Sequence, residues 1–344
     1  MGEGDILFER RDRLGLITLN RPKAMNALTH EMVLALEDQL DGWAADDNVK
    51  SVAIRGAGER AFCAGGDIRA LWEAGRENAA NAYPFYADEY RMNTRIKRYP
   101  KPYVAIMDGV TMGGGVGVSV HGRLRVATER TVFAMPETGI GFFPDVGGTW
   151  FLPRLPGRVG VWLGLTGARL KGREAVLAGL CDAHLLAAEV DRLLIALAEG
   201  AHPDALIDAG VPLESAHGET IEAQEAIDGA FRGESVEAVL ENLDAAGDWG
   251  RETAETIRAK SPTAVRVAFR QIREGAKLGF EDCMRLEYRL ARFMIGRPDF
   301  YEGVRAAIID KDRAPEWQPP TLDQADEASV APAFEPLGDE ELAL

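Results

Sequence analysis

Residues 102–115 read PYVAIMDGVTMGGG: a short run rich in branched apolar residues, a second apolar stretch, and then Gly113-Gly114-Gly115. The run 102–107 has the length and composition of a strand, and glycines behind such a run let the backbone approach a ligand closely. The same arrangement stands earlier, where Ala64-Gly65-Gly66-Asp67 also follows apolar residues. Working outward, 15–20, 51–55 and 123–128 read as further strands by their Val, Ile and Leu content. Between the first two, Thr29 is placed to cap a helix whose apolar positions Met32, Val33, Leu36 and Leu40 recur at helical spacing and which closes near Gly42. Strand alternating with helix at a fairly regular step predicts a layered α/β core.

After about residue 200 the strand pattern stops. Residues 220–231, 236–245, 252–260 and 262–278 read as helices, with Ser261-Pro262 a good start signal. From Pro315 onward Pro, Asp, Glu and Ala predominate, a composition that predicts a poorly packed arm. The 344 residues exceed the usual single-domain size, so the expected organisation is an α/β core over 1–200 and a helical region with an acidic tail over 201–344.

A net charge of -16 repels nucleic acid, so an anionic ligand must be held by local amides and a few placed cations. The longest nearly apolar stretch, around 110–120, is too short to span a bilayer, which predicts no membrane partner. Residues 1–12 mix acids with bases and contain no apolar segment, so neither a secretory signal nor a transit peptide is read there and a cytoplasmic setting is expected. The cysteines, Cys63, Cys181 and Cys283, are odd in number and widely separated, which predicts reduced thiols and no zinc pattern.

The segment MPETGIGFFPDVGG, residues 135–148, sets Glu137 and Asp145 among glycine, proline and phenylalanine, a pocket lining rather than a solvated surface. Acids placed so usually do chemistry, and with the two glycine clusters they suggest an oxyanion site with an acid beside it. Other chemistries have less support. Ser119 and His121 are close in sequence, but the stretch around them lacks the closing glycine of a nucleophile elbow. Cys63 has no histidine nearby and reads as a small buried hydrophobe. His30, His184, His202 and His217 show no metal-binding spacing, no metal is expected, and no Walker or dinucleotide glycine pattern occurs.

Three motifs, Asn20 to Leu28 (NRPKAMNAL), Phe62 to Ile68 (FCAGGDI) and the Gly113 triplet, occur in the order found in the crotonase (enoyl-CoA hydratase/isomerase) superfamily, which the chain resembles from about Asp5 to Pro319. The longer stretch TMGGGVGVSVHG, residues 111–122, the 135–148 segment, residues 299–306 (DFYEGVRA) and residues 309–312 (IDKD) narrow the likeness to its thioester-hydrolase branch. The resemblance implies an α/β fold, a spiral of ββα units with a helical C-terminal region. It implies that Gly66 and Gly114 supply the oxyanion donors, and that Lys23, Ala24, Ala64, Asp67 and Ile68 bind coenzyme A, with Arg21 and Lys311 as further phosphate partners. Glu89 matches a substrate-binding position, joined there by Gly114, Glu137 and Asp145.

Hydratases of this superfamily activate water with two glutamates, one of which falls two residues past the glycine triplet. Here that position is Gly117, while Asp145 stands where hydratases have glycine. The implied activity is therefore hydrolysis of a short 3-hydroxyacyl-CoA in valine breakdown, with Glu137 as general base or nucleophile, Asp145 beside it, and coenzyme A entering as part of the substrate with no separate cofactor. An enoyl-CoA hydratase or isomerase and a non-catalytic CoA-binding protein are the rival readings. A homo-oligomer is among the assemblies the resemblance implies.

Overall fold

A computed structural model describes residues 4–207 and 223–344; His217 and the first residues of the helix expected at 220–231 lie outside the described residues. The described chain forms two compact units. Of the described residues, one draws on 4–66, 91–134 and 169–207, the other on 67–90, 135–168 and 223–344, so neither is a continuous half of the chain.

The first unit contains all ten described strands. Strands β1 (Ile6–Arg11), β2 (Leu14–Leu19), β3 (Ser51–Gly56), β5 (Tyr103–Met107), β7 (Leu124–Thr128) and β10 (Ala183–Leu185) form one sheet in the order β1-β2-β3-β5-β7-β10. Only the β1-β2 pair is antiparallel. The four strands expected at 15–20, 51–55, 102–107 and 123–128 are thus present to within a residue. Every residue of β5 is buried, the continuous apolar run of a parallel strand covered on both faces. The helix Val190–Glu199 contributes Leu193, Leu194 and Leu197 to a core shared with Leu14, Leu16, Val104 and Ile106.

The second sheet of this unit holds β4 (Ala61–Cys63), β6 (Val110–Met112), β8 (Val132–Ala134) and β9 (Leu170–Lys171). Strands β4 and β6 run parallel with Cys63 opposite Thr111, so the glycine turns that follow them leave the sheet side by side. The helix His30–Ala45 starts where Thr29 accepts a bond from Met32 N at 3.2 Å. It runs past Gly42 because Trp43 is buried: a Cβ at Gly15 would fall 2.6 Å from the Trp43 ring. A mid-helix glycine costs about 1 kcal/mol, less than seating an indole returns.

In the second unit every described element is a helix or helical turn. Ser261 caps Pro262–Gly275 by accepting from Ala264 N at 3.1 Å, as the start signal predicted. This helix stops at Gly275, short of 278; a Cβ there would fall 2.0 Å from the Thr149 carbonyl. Gly247–Arg258 begins before the expected 252, with Gly250 pressed on the Leu243 carbonyl. Val236–Ala245 has the expected bounds, and Gln224–Ala230 is the described part of the segment at 220–231. Phe280–Ile295 and Pro298–Val304 are two further helices of this unit.

The tail is not the loose arm its composition predicted. Val330, Ala333, Phe334 and Leu342 are buried. The Arg266 guanidinium donates to the carbonyls of Leu322 and Ala325, Arg289 pairs with Glu341 at 2.7 Å, and the Arg270 guanidinium sits 4.0 Å over the Phe334 ring. Four apolar anchors and three arginines outweigh a composition that counts only averages. Among the described residues no helix is long and apolar enough to cross a membrane, and no group of three or more His, Cys, Asp or Glu is placed to hold a metal ion.

Candidate active site

The segment 135–148 folds as a buried loop. Glu137 opens the 3-10 turn Glu137–Ile140, which ends at Gly141 with φ +69°. Only glycine fits there, because a Cβ would fall 2.2 Å from the Asp299 carbonyl. Phe142 then returns its N–H to the Glu137 carbonyl at 3.0 Å. Phe142 and Phe143 are buried against each other, and Phe142 also meets Tyr86 and Phe300 at centroid distances of 5.4 and 5.7 Å. An aromatic wall of this kind keeps water away from the carboxylates it encloses.

Those carboxylates are Glu89, Glu137, Asp145 and Glu287, which retain only 2%, 6%, 5% and 0% of their exposure. Glu89 is therefore no solvated helical face, and Asp145 no ordinary surface turn. The Tyr90 hydroxyl donates to Asp145 Oδ2 at 2.9 Å. Glu137 Oε2, Glu89 Oε1 and the Tyr86 hydroxyl are buried without a hydrogen bond among the described residues. Such atoms are costly unless a ligand or water meets them, which marks the cluster as a place built to receive a polar group.

Burial pushes all four acids upward, because an ion loses its solvation there. Glu137 lies well above the usual carboxylate range, through burial first and then the neighbouring Asp145 charge, with Lys260 pulling the other way. Asp145 is raised to about 7 by burial, tempered by its bond from Tyr90. Glu89 is raised by burial and by the charges of Asp145 and Glu287. Glu287 reaches about 8 through burial, although the amides of Gly147 and Thr149 favour its anion. Lys260 is lowered by burial, with Glu137 opposing. Acids with such values can hold or release a proton near neutrality, which ordinary surface carboxylates cannot do.

The glycines expected to form the oxyanion site belong to the first unit. Gly66 bridges Leu28, and Gly114 is buried at the start of the turn Gly114–Gly117. Gly65, at φ +122°, would place a Cβ 3.9 Å from Gly114 N, so the two glycine turns abut. A Cβ at Gly115 would fall 2.2 Å from the Cys63 carbonyl. The loop before them is knitted by buried Asn26, which donates to the carbonyls of Ala57 and Ala61 at 3.0 and 2.8 Å and accepts from Arg21 N at 3.0 Å.

Of the residues expected to bind coenzyme A, Lys23 and Ala24 are exposed, and Ala64, Asp67 and Ile68 half-buried. Asp67 caps the helix Ile68–Glu77 by accepting from Ala70 N, and Arg21 donates to the Ala27 carbonyl at 2.7 Å. Lys311 is exposed in a left-handed conformation. The Ser119 hydroxyl donates to the carbonyl of Gly115 at 2.7 Å, which commits it to the backbone rather than to a triad. All three cysteines are buried, and none is in a disulfide.

Tyr86, Tyr90, Lys260 and Glu287 join the cluster without having been singled out by sequence. Tyr86, Glu89 and Tyr90 stand at helical spacing on one face, a signal readable in advance. Glu287 sits within the stripe Cys283, Met284, Leu290, Ala291 and Met294, and a carboxylate inside an apolar stripe is itself a flag.

The family model for enoyl-CoA hydratase/isomerase matches residues 14–334. The chain belongs to that family. It is 46% identical to the 3-hydroxyisobutyryl-CoA hydrolase, mitochondrial, of Danio rerio, over 99% of this chain and 92% of the relative. It is 41% identical to the protein of the same description in Homo sapiens, over 98% and 90%. Among solved structures, a carnitinyl-CoA dehydratase from Mycobacterium thermoresistibile aligns with a TM-score of 0.93 at 41% identity, covering 99% of both chains. An enoyl-CoA hydratase from Rhodobacter sphaeroides aligns with a TM-score of 0.92 at 41% identity, over 99% of this chain and all of the other. The crotonase-like α/β fold with its helical C-terminal region is therefore the fold of this chain.

Proposed function

We propose that this chain hydrolyses the thioester of a short 3-hydroxyacyl-CoA, 3-hydroxyisobutyryl-CoA or the 3-hydroxypropionyl ester, to the free acid and coenzyme A. The observation that carries the reading is Asp145: buried, held by the Tyr90 hydroxyl and raised to about 7, in the compact unit that also encloses Glu137. The hydrolases named among its relatives support the same activity.

Hydrolysis requires a carbonyl made electrophilic, an oxygen nucleophile and a proton for the departing thiolate. The Gly66 and Gly114 amides donate to the carbonyl oxygen as it gains charge. In one route Glu137 removes a proton from water as the water oxygen bonds the carbonyl carbon; the C–S bond then breaks and the thiolate regains that proton. In the other, the Glu137 carboxylate attacks directly, coenzyme A leaves, and water cleaves the resulting anhydride. Label found in the Glu137 side chain after single turnover in 18O-labelled water establishes the anhydride route, since only water attack on the Glu137 carbonyl of an anhydride can put it there. Asp145 and Glu89 receive the 3-hydroxyl, a donor that pairs with a buried carboxylate oxygen and that an unsubstituted acyl group lacks.

A second reading, hydration or dehydration of an acyl-CoA, is favoured by the descriptions of the two aligned structures. Gly117 opposes it, because the first of the paired water-activating glutamates has no counterpart there. The test is thiol release from 3-hydroxyisobutyryl-, 3-hydroxypropionyl-, acetyl- and crotonyl-CoA side by side. Fast release confined to the 3-hydroxy esters is expected; loss of enoyl absorbance from crotonyl-CoA without free thiol would establish the second reading instead.

A further inference from the structure

Glu287 has no role in the reaction just described, yet it is the most enclosed of the four acids. Its side chain rises from the helix Phe280–Ile295 and both oxygens are spent on one short turn: Oε2 accepts from Gly147 N and Oε1 from Thr149 N, each at 2.8 Å. That turn needs holding. Val146, a β-branched residue, has φ +50°, and Gly147 follows at φ +92°. Left-handed backbone at a β-branched residue is strained and persists only where the surroundings impose it. Gln271 holds the same turn, donating to the Pro144 carbonyl and to Thr149 Oγ1 at 2.9 Å. Asp145 lies between these anchors, with its free end fixed by Tyr90.

We propose that Glu287 is a positioning residue: its carboxylate clamps the strained turn 145–149 by both oxygens and thereby fixes where the Asp145 side chain meets the substrate. A polar side chain placed only for packing would leave the turn to its own preferences. One held by two converging amides, each at 2.8 Å, resists displacement in two directions at once. The bearing on catalysis rests on the hydrolase reading above, whereas the clamp itself does not.

The test compares wild type, Glu287→Gln, Asp145→Asn and the double variant. The glutamine keeps the shape but turns an NH2 toward one of the two amides. Amide exchange at Gly147 and Thr149 should be slow in wild type and Asp145→Asn, and at least tenfold faster in Glu287→Gln. On 3-hydroxyisobutyryl-CoA, Glu287→Gln should lower kcat about ten- to hundredfold with KM changed less than about threefold, the size expected for a misplaced catalytic group. In the Asp145→Asn background the same change should cost less than about threefold, because its target is gone. An unaltered exchange rate overturns the clamp. An unaltered kcat, or an equal loss in both backgrounds, overturns the positioning role and leaves Glu287 a packing residue. Should Glu287→Gln fail to fold, Glu287→Asp, which withdraws the carboxylate by one methylene, must show the same non-additivity in smaller measure. If wild type releases no thiol from any ester, the hydrolase reading fails, and the exchange rates still judge the clamp.

Discussion

The two units use opposite means. In the first, the groups we propose for the reaction are main-chain amides at glycine turns, and those turns follow strands β4 and β6, which end side by side. In the second, the groups are side-chain carboxylates drawn from residues 89, 137, 145 and 287 and packed behind phenylalanine and tyrosine rings. An amide donor carries no net charge and is inexpensive to bury once its strand is paired. A cluster of acids is expensive, and its cost is visible in values displaced toward neutrality. The glycine unit is accordingly sensitive to added volume, and the acid unit to charge and pH.

The largest effect that sharpens this contrast is at Glu137. Glu137→Gln, nearly isosteric, should reduce kcat for thiol release by about a thousandfold, the scale of general acid–base catalysis, while circular dichroism stays that of wild type. Retained turnover would take the carboxylate out of the chemistry.

Next comes pH. Asp145 and Glu287 titrate at about 7 and about 8 in the folded chain, against 3.8 and 4.5 for ordinary carboxylates. The folded state therefore binds more protons than the unfolded one between about pH 4 and pH 8, and stability falls as pH rises through that window. The unfolding free energy from denaturant titration should be lower at pH 8 than at pH 5.5, by on the order of a few kcal/mol, and the Asp145→Asn, Glu287→Gln double variant should flatten the decline. A profile equally steep in that variant would assign the effect to other groups.

The smallest effect tests the glycine unit. Gly115→Ala must push the Cys63 carbonyl, 2.2 Å from the new methyl carbon, and should cost about 1 to 3 kcal/mol at every pH. A pH-dependent loss, or none, would erase the distinction between the units.

Much of the first unit was legible because its signals are local. A branched apolar run followed by glycines is a strand ending at a tight turn, and Thr29 before helically spaced apolar residues is a cap, wherever they occur. The acid cluster was legible only in part. Glu137 and Asp145 share one segment, and Glu89 could be placed by resemblance, but Glu287 lies 142 positions beyond Asp145, and its two acceptor bonds depend on a helix that sequence composition did not single out. Interleaving of three segments in each unit is a non-local outcome that no window of neighbouring residues encodes. Composition misled at the tail for a related reason: Arg266, Arg270 and Arg289 capture it from a distance.

That capture has a practical side for anyone handling the protein. Leu342 is buried, and Arg289 pairs with Glu341 at 2.7 Å. A bulky group joined close behind Leu342 would compete with this seat, so an affinity handle there needs a flexible spacer. Clipping residues 315–344 would take from Arg266, Arg270 and Arg289 their contacts with Leu322, Ala325, Phe334 and Glu341 and uncover an oily face, which invites precipitation during storage.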